Sequence, residues 1–182
     1  MYSAGTVIGT YSVTATAVDD VSASETVPVK IFEGACLIGT WILRSQEFFD
    51  QVGAQAGGET QYRSGENRLV IREDGTYTTF RDAWSFAVVT EEGTIVGVID
   101  AENSGTWQST DVEMTIDEAG GDEATVQLFL EIGGQLQTLQ IAGSQVSFAS
   151  DSFSGQYPYI CDANVLATTS SGVTSTFDRA DG

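Results

Sequence analysis

Apolar and polar residues alternate along most of this chain, and the alternation breaks at glycines and at acidic pairs. Over residues 9–18, Tyr11, Val13, Ala15 and Ala17 share one parity while Ser12, Thr14 and Thr16 take the other, which is the period of a strand. A polar turn at Asp19-Asp20 leads to residues 25–32, where Val27, Val29 and Ile31 alternate again, so the two segments are expected to form a hairpin. A lone two-stranded hairpin is marginal in water and needs a surface to dock on. Residues 38–43 read as a strand carrying Trp41. Ser45 then suits the N-cap of a helix over 46–55, with Phe48, Phe49 and Val52 at helical spacing and Gly57-Gly58 as its stop. No other segment reads as a helix, and its apolar stripe suits a lid on a core.

Hairpins follow one another from there. Asp74-Gly75 reads as a two-residue turn within 68–80, a register that sets Leu69 opposite Phe80 and Ile71 opposite Thr78 and leaves Arg68 and Arg72 outside. Trp84, Phe86 and Val88 alternate, and Glu91-Glu92-Gly93 turns into a strand over 94–99. Residues 100–111 read as a hairpin turn, Met114 and Ile116 share a face with Val112, and residues 117–123 read as an acidic loop. Gly133-Gly134 supplies a further two-residue turn, which pairs Leu128 with Leu139 and Val126 with Ile141 on one face. Shorter strands are expected at 146–148, 157–161, 165–167 and 173–177. So many consecutive hairpins with one apolar face favour an all-β fold whose sheet closes on itself. The expectation is an up-and-down antiparallel β-barrel of eight to ten strands over residues 34–182, preceded by the hairpin of residues 1–33.

Charge and composition narrow the chemistry. The 182 residues include 26 Asp or Glu, 7 Lys or Arg and no His, a formal charge of -19. A nucleic-acid partner needs a basic footprint, which is missing. Without histidine there is neither a Ser-His-Asp nor a Cys-His pair, nor a zinc site built on imidazole. No apolar run approaches the 18 or so residues of a membrane helix, and Met1-Tyr2-Ser3 runs directly into strand-like sequence, as in a mature or excised segment. Cys36 and Cys161 are too few for a four-thiolate metal site and too far apart for a CxxC pair, so they are expected to form one disulfide. That pairing implies an oxidising, extracellular setting, secreted or at a cell surface.

Short motifs suggest relatives. Gly-Thr-aromatic recurs at Gly9-Thr10-Tyr11, Gly39-Thr40-Trp41, Gly75-Thr76-Tyr77 and Gly105-Thr106-Trp107. Together with Cys36 ahead of Trp41 and Tyr159-Ile160-Cys161 near the end, the last three resemble the lipocalin-like domains of secreted bacterial proteins, within the calycin group. The resemblance covers roughly residues 36–180. It implies a structural Trp on the first barrel strand, here Trp41, covered by an Arg close to the C-terminus, here Arg179. The helix after the first strand is more like that of fatty-acid-binding proteins. The first 30 or so residues resemble the last two strands of immunoglobulin-like or hyalin-type repeats of bacterial surface proteins.

The lipocalin resemblance also implies a cup for a small apolar ligand. Leu69, Ile71, Phe80, Trp84, Phe86, Val88, Leu128 and Leu139, with Val126 and Ile141, would line it or would simply fill the barrel. Both outcomes fit the pattern. No cofactor is implied and no carboxylate pair stands out as catalytic, so a non-enzymatic binding module is expected. Its rival is a structural or adhesive subunit that self-associates, the N-terminal hairpin completing a neighbour's sheet or belonging to a neighbouring immunoglobulin-like domain. Metal sites are not expected. Residues 100–111 lack the closing Glu of a calcium loop, and Asp117, Glu118, Asp122 and Glu123 are weak candidates whose ordinary reading is a solvated acidic loop.

Overall fold

A computed structural model describes residues 9–16, 24–31, 34–91, 93–121, 124–139 and 154–180. β1 (Gly9–Thr16) and β2 (Ser24–Ile31) pair antiparallel as a two-stranded sheet of their own, with Tyr11 opposite Val29 and Val13 opposite Val27. A single 3-10 turn, Ala35–Leu37, then opens the barrel. The barrel comprises β3 (Gly39–Leu43), helix α1 (Ser45–Ala56), β4 (Glu59–Ile71), β5 (Thr76–Thr90), β6 (Gly93–Ser109), β7 (Glu113–Gly121), β8 (Thr125–Ile132), β9 (Gln135–Thr138), β10 (Gly155–Cys161), β11 (Val165–Ser170) and β12 (Val173–Arg179). The sheet is all antiparallel. Eight strands close a ring in the order β5-β4-β3-β12-β11-β10-β7-β6, with β6 returning to β5.

The barrel is therefore eight-stranded, and the extra hairpin does not widen it. Strand β6 is long enough to serve two neighbours on one edge: β7 along Asn103–Ser109 and β8 along Thr94–Asp100. The β8–β9 hairpin branches from the upper half of β6 beyond the ring. Gly133 and Gly134, at φ 59° and 78°, make its two-residue turn, and the Leu139 amide donates to the Leu128 carbonyl, the expected register. Ile141 lies outside the described residues, as does the strand expected at 146–148.

Three other expectations change. The Asp74-Gly75 turn holds three residues rather than two. Arg72 N–H bonds the Thr76 carbonyl and Gly75 adopts φ 82°, so the extra residue shifts every partner by one, giving Leu69 opposite Thr79 and Ile71 opposite Tyr77. Residues 100–109 form no turn, because β6 runs straight through Gly105 to Ser109. Residues 117–121 belong to β7 rather than to a loop.

Helix α1 starts one residue earlier than its pattern suggested. Arg44 occupies the cap position, while Ser45 lies within the first turn, its hydroxyl accepting the Trp84 indole N–H at 2.9 Å. At the other end Gly57 is left-handed and the Gly58 amide reaches back to the Gly53 carbonyl. Phe49 is buried between Trp84, at 4.9 Å between ring centroids, and Phe86, at 5.1 Å. The helix thus closes one end of the barrel with an aromatic cluster. Replacing Phe49 with Ala should lower stability by about 3–5 kcal/mol in denaturant unfolding while the far-ultraviolet β signal persists. A loss below about 1 kcal/mol would remove α1 from the core.

Candidate functional site

The inner face of the barrel is built in three layers, each set by alternation along β5 and its neighbours. The base is packed solid. Leu37, Trp41, Tyr77, Met114 and Leu166 are each at most 1% exposed, with Leu69, Ile71, Trp107, Ile116 and Phe177 buried around them. Trp41 donates its indole N–H to the Leu37 carbonyl at 2.6 Å, and Trp107 donates to the Arg72 carbonyl at 2.9 Å.

Arg179 seals this base. Its Cζ lies 4.3 Å from the centroid of the Trp41 ring, and its three nitrogens donate to three carbonyls: Nε to Ala163 at 2.7 Å, Nη1 to Ile38 at 2.9 Å and Nη2 to Cys36 at 2.8 Å. The stacking itself contributes about 0.5–2 kcal/mol. Gly39, at φ 148°, makes the approach feasible, since a Cβ there would sit 2.4 Å from Nη1. The Cys36–Cys161 disulfide, with Cα atoms 6.0 Å apart, fastens the same segment to β10. In the chain-entropy account a bridge spanning this much chain adds about 4 kcal/mol.

Above the base lies a polar girdle that the sequence reading missed. Thr79, Arg81 and Asn103 occupy inward positions on β5 and β6 one or two rungs from Tyr77, and Glu118 of β7 lies on the Tyr77–Gly105 rung, its charge also acting on Tyr157 of β10. Burial lowers the affinity of Arg81 for its proton, and the Glu118 carboxylate opposes that shift. The Tyr77 phenol is pushed up to about 12, chiefly by burial and then by the Glu118 charge. Tyr157 is raised for the same two reasons. Arg81 was hidden by the register error at Gly75 and by a bulge between Arg81 and Trp84, where Ala83 takes φ 44° and its amide bonds the Asp100 carboxylate at 2.7 Å. Alternation counted from Tyr77 would have exposed it.

The third layer is an apolar mouth. Trp84 and Ile99 are buried at its floor and Phe86 stacks on Phe49 of the closing helix, while Val88, Ile95 and, on the hairpin beyond the ring, Val126, Leu128 and Leu130 are half-buried on the same face beside that helix.

The candidate ligand residues thus separate. Leu69 and Ile71 belong to the packed base, Trp84, Phe86 and Val88 to the mouth, and Leu128 and Leu139 to the branching hairpin. Phe80 does not face inward. The one-residue shift puts it on the outer face opposite Arg68, whose Cζ lies 4.8 Å from its ring centroid. Arg72 is also outside, donating to the Thr78 hydroxyl at 2.9 Å. Asp117 and Glu118 point to opposite faces of β7, so they do not converge on a metal, and Asp122 and Glu123 lie outside the described residues. Among the described residues no group of three or more metal-ligating side chains forms, and no helix is long and apolar enough to cross a membrane.

No protein-family model, curated protein or solved structure matches the chain.

The Arg179 cap is testable without a ligand. Lysine can offer charge but neither the planar stack nor the three-way fork. Arg179→Lys and Arg179→Ala should therefore lose similar stability, about 2–4 kcal/mol, in chemical unfolding. A lysine variant within about 0.5 kcal/mol of wild type would reduce the cap to a point charge.

Proposed function

We propose that this protein is a non-catalytic, extracellular binding module that holds a small apolar ligand at the mouth of its barrel. The supporting observation is the division of the inner face. The lower half is filled by its own side chains, whereas Val88, Ile95, Leu128 and Leu130 stay half-exposed on one continuous apolar face of β5, β6 and β8 beside helix α1. Ligand sites are typically apolar concavities with a few polar groups that fix orientation, and the girdle would supply those groups beneath this mouth. The disulfide supports an oxidising compartment. The dense negative charge suits a soluble surface and leaves apolar contact inside the barrel as the main source of affinity.

Trp84 is the natural reporter, because its ring touches the Phe48, Phe49 and Phe86 cluster at the floor of the mouth. Titration with a naphthalene dye, a long-chain alcohol or retinol should change tryptophan emission saturably, and Trp84→Phe should remove most of that change. Emission that stays flat with all three probes, or drifts without saturating, would defeat the proposal.

A further inference from the structure

We propose that the free edge of β9 accepts strand β1 from a second copy of this chain, so that copies join head to tail by strand addition. The proposal is independent of the ligand at the mouth.

β9 is the outer strand of the branching hairpin, and no described strand pairs with its far side. The Leu139 amide bonds the Leu128 carbonyl, so by the alternation of an antiparallel ladder Gln137 and Gln135 also turn their backbone groups toward β8. Leu136 and Thr138 therefore aim theirs at the open edge. All of β9 is exposed, Leu136 by 59%. Proteins ordinarily guard such an edge with charge, proline, a bulge or a covering segment. Gln135-Leu136-Gln137-Thr138 has neither charge nor proline, and it pairs with β8 in unbroken register. Copies of a chain with charge -19 repel one another, and this uncharged strip is where one can approach.

β1 is its counterpart. Among the described strands it pairs only with β2, and Gly9–Thr16 contains no charged residue and no proline. β2 by contrast carries Glu25, Pro28 and Lys30, and Pro28 has no amide to donate. A two-stranded sheet is marginal alone, and joining it to the β8–β9 edge removes that weakness.

The donor must be another copy. The hairpin is rooted at the base of the barrel, where Gly34 lies against Ser109 at the end of β6 and Cys36 is bonded to Cys161. Thr138 is level, through Phe129, with Val96, about 40 Å of strand away from Ser109. The hairpin strands and the short link to Gly34 together span only about 33 Å. β1 therefore cannot lie along its own β9. Along a neighbour's β9 it forms an interface that uses a different surface on each copy, and such an interface propagates.

Analytical ultracentrifugation of the full chain tests this. Wild type should form a concentration-dependent series that continues past the dimer. Thr138→Pro removes an amide from the open edge and leaves the β8 ladder intact, while Thr14→Pro removes one from β1. Each variant alone should associate at least about tenfold more weakly and keep the barrel's thermal transition. An equimolar mixture of the two should give one heterodimer and nothing larger, since each supplies the edge that the other lacks. A wild-type chain that stays monomeric at its highest soluble concentration, its β9 edge covered from within, would overturn the proposal. So would dimers that never grow, as in pairing of β9 with β9, or oligomers that survive in Thr138→Pro.

Discussion

The seam between the first and last barrel strands is the constraint on which the rest depends. β3 and β12 meet through only three residue pairs, Trp41–Arg179, Ile42–Asp178 and Leu43–Phe177. Such a short ladder joins segments more than 130 residues apart, and loop closure over that length must be offset by strong local contacts. Side chains supply them. At the base, Arg179 lies on Trp41 and binds three carbonyls. At the other end, Arg44 grips the Asp178 carboxylate through two nitrogens, at 2.8 and 3.0 Å. Gln51 exchanges hydrogen bonds with the backbone of Thr174, and Gln55 reaches the Ser171 carbonyl. Helix α1 is thus a brace on the closing strand as well as a lid, which explains a helix inserted directly after β3.

The parts of the fold that could be read from sequence are those in which turn chemistry and hydrophobic parity agree. Gly133-Gly134 adopts the two-residue turn its composition favours, so the Leu128–Leu139 register follows directly. Asp74-Gly75 carries an equally strong turn signal, yet one added residue reverses which of Thr79 and Phe80 faces inward. No local pattern distinguishes a two-residue turn from a three-residue turn with a left-handed Gly75. The recurring Gly-Thr-aromatic motif turned out to combine different physical needs. Gly39 makes room for a guanidinium, Gly75 supplies a left-handed turn, and Gly105 lies under the Tyr77 ring in mid-strand. Reading Gly105 as a turn split β6 in two and concealed the two-neighbour edge on which the sheet branches.

The same errors explain why the polar girdle went unseen. Arg81 precedes a bulge, and Glu118 sits in a run of acids that looks like a loop until the ladder carries it into β7. A barrel interior with a solid base, an intermediate polar layer and a half-open apolar rim differs from both outcomes the pattern allowed. Among the described residues most carboxylates lie on the outside of this arrangement, at turns and outward strand positions such as Asp74, Asp111, Asp117 and Asp178.

If side chains rather than ladder length hold the seam, its opening should coincide with unfolding of the whole barrel. Native-state hydrogen exchange measures this directly. The amides of Arg44, Thr174, Arg179 and Ala180, all bonded across or beside the seam, should exchange with the same free energy as those of the central β4–β5 ladder. Exchange of the seam amides at markedly lower free energy, with β4 and β5 still protected, would show that the ring opens on its own and would contradict this account.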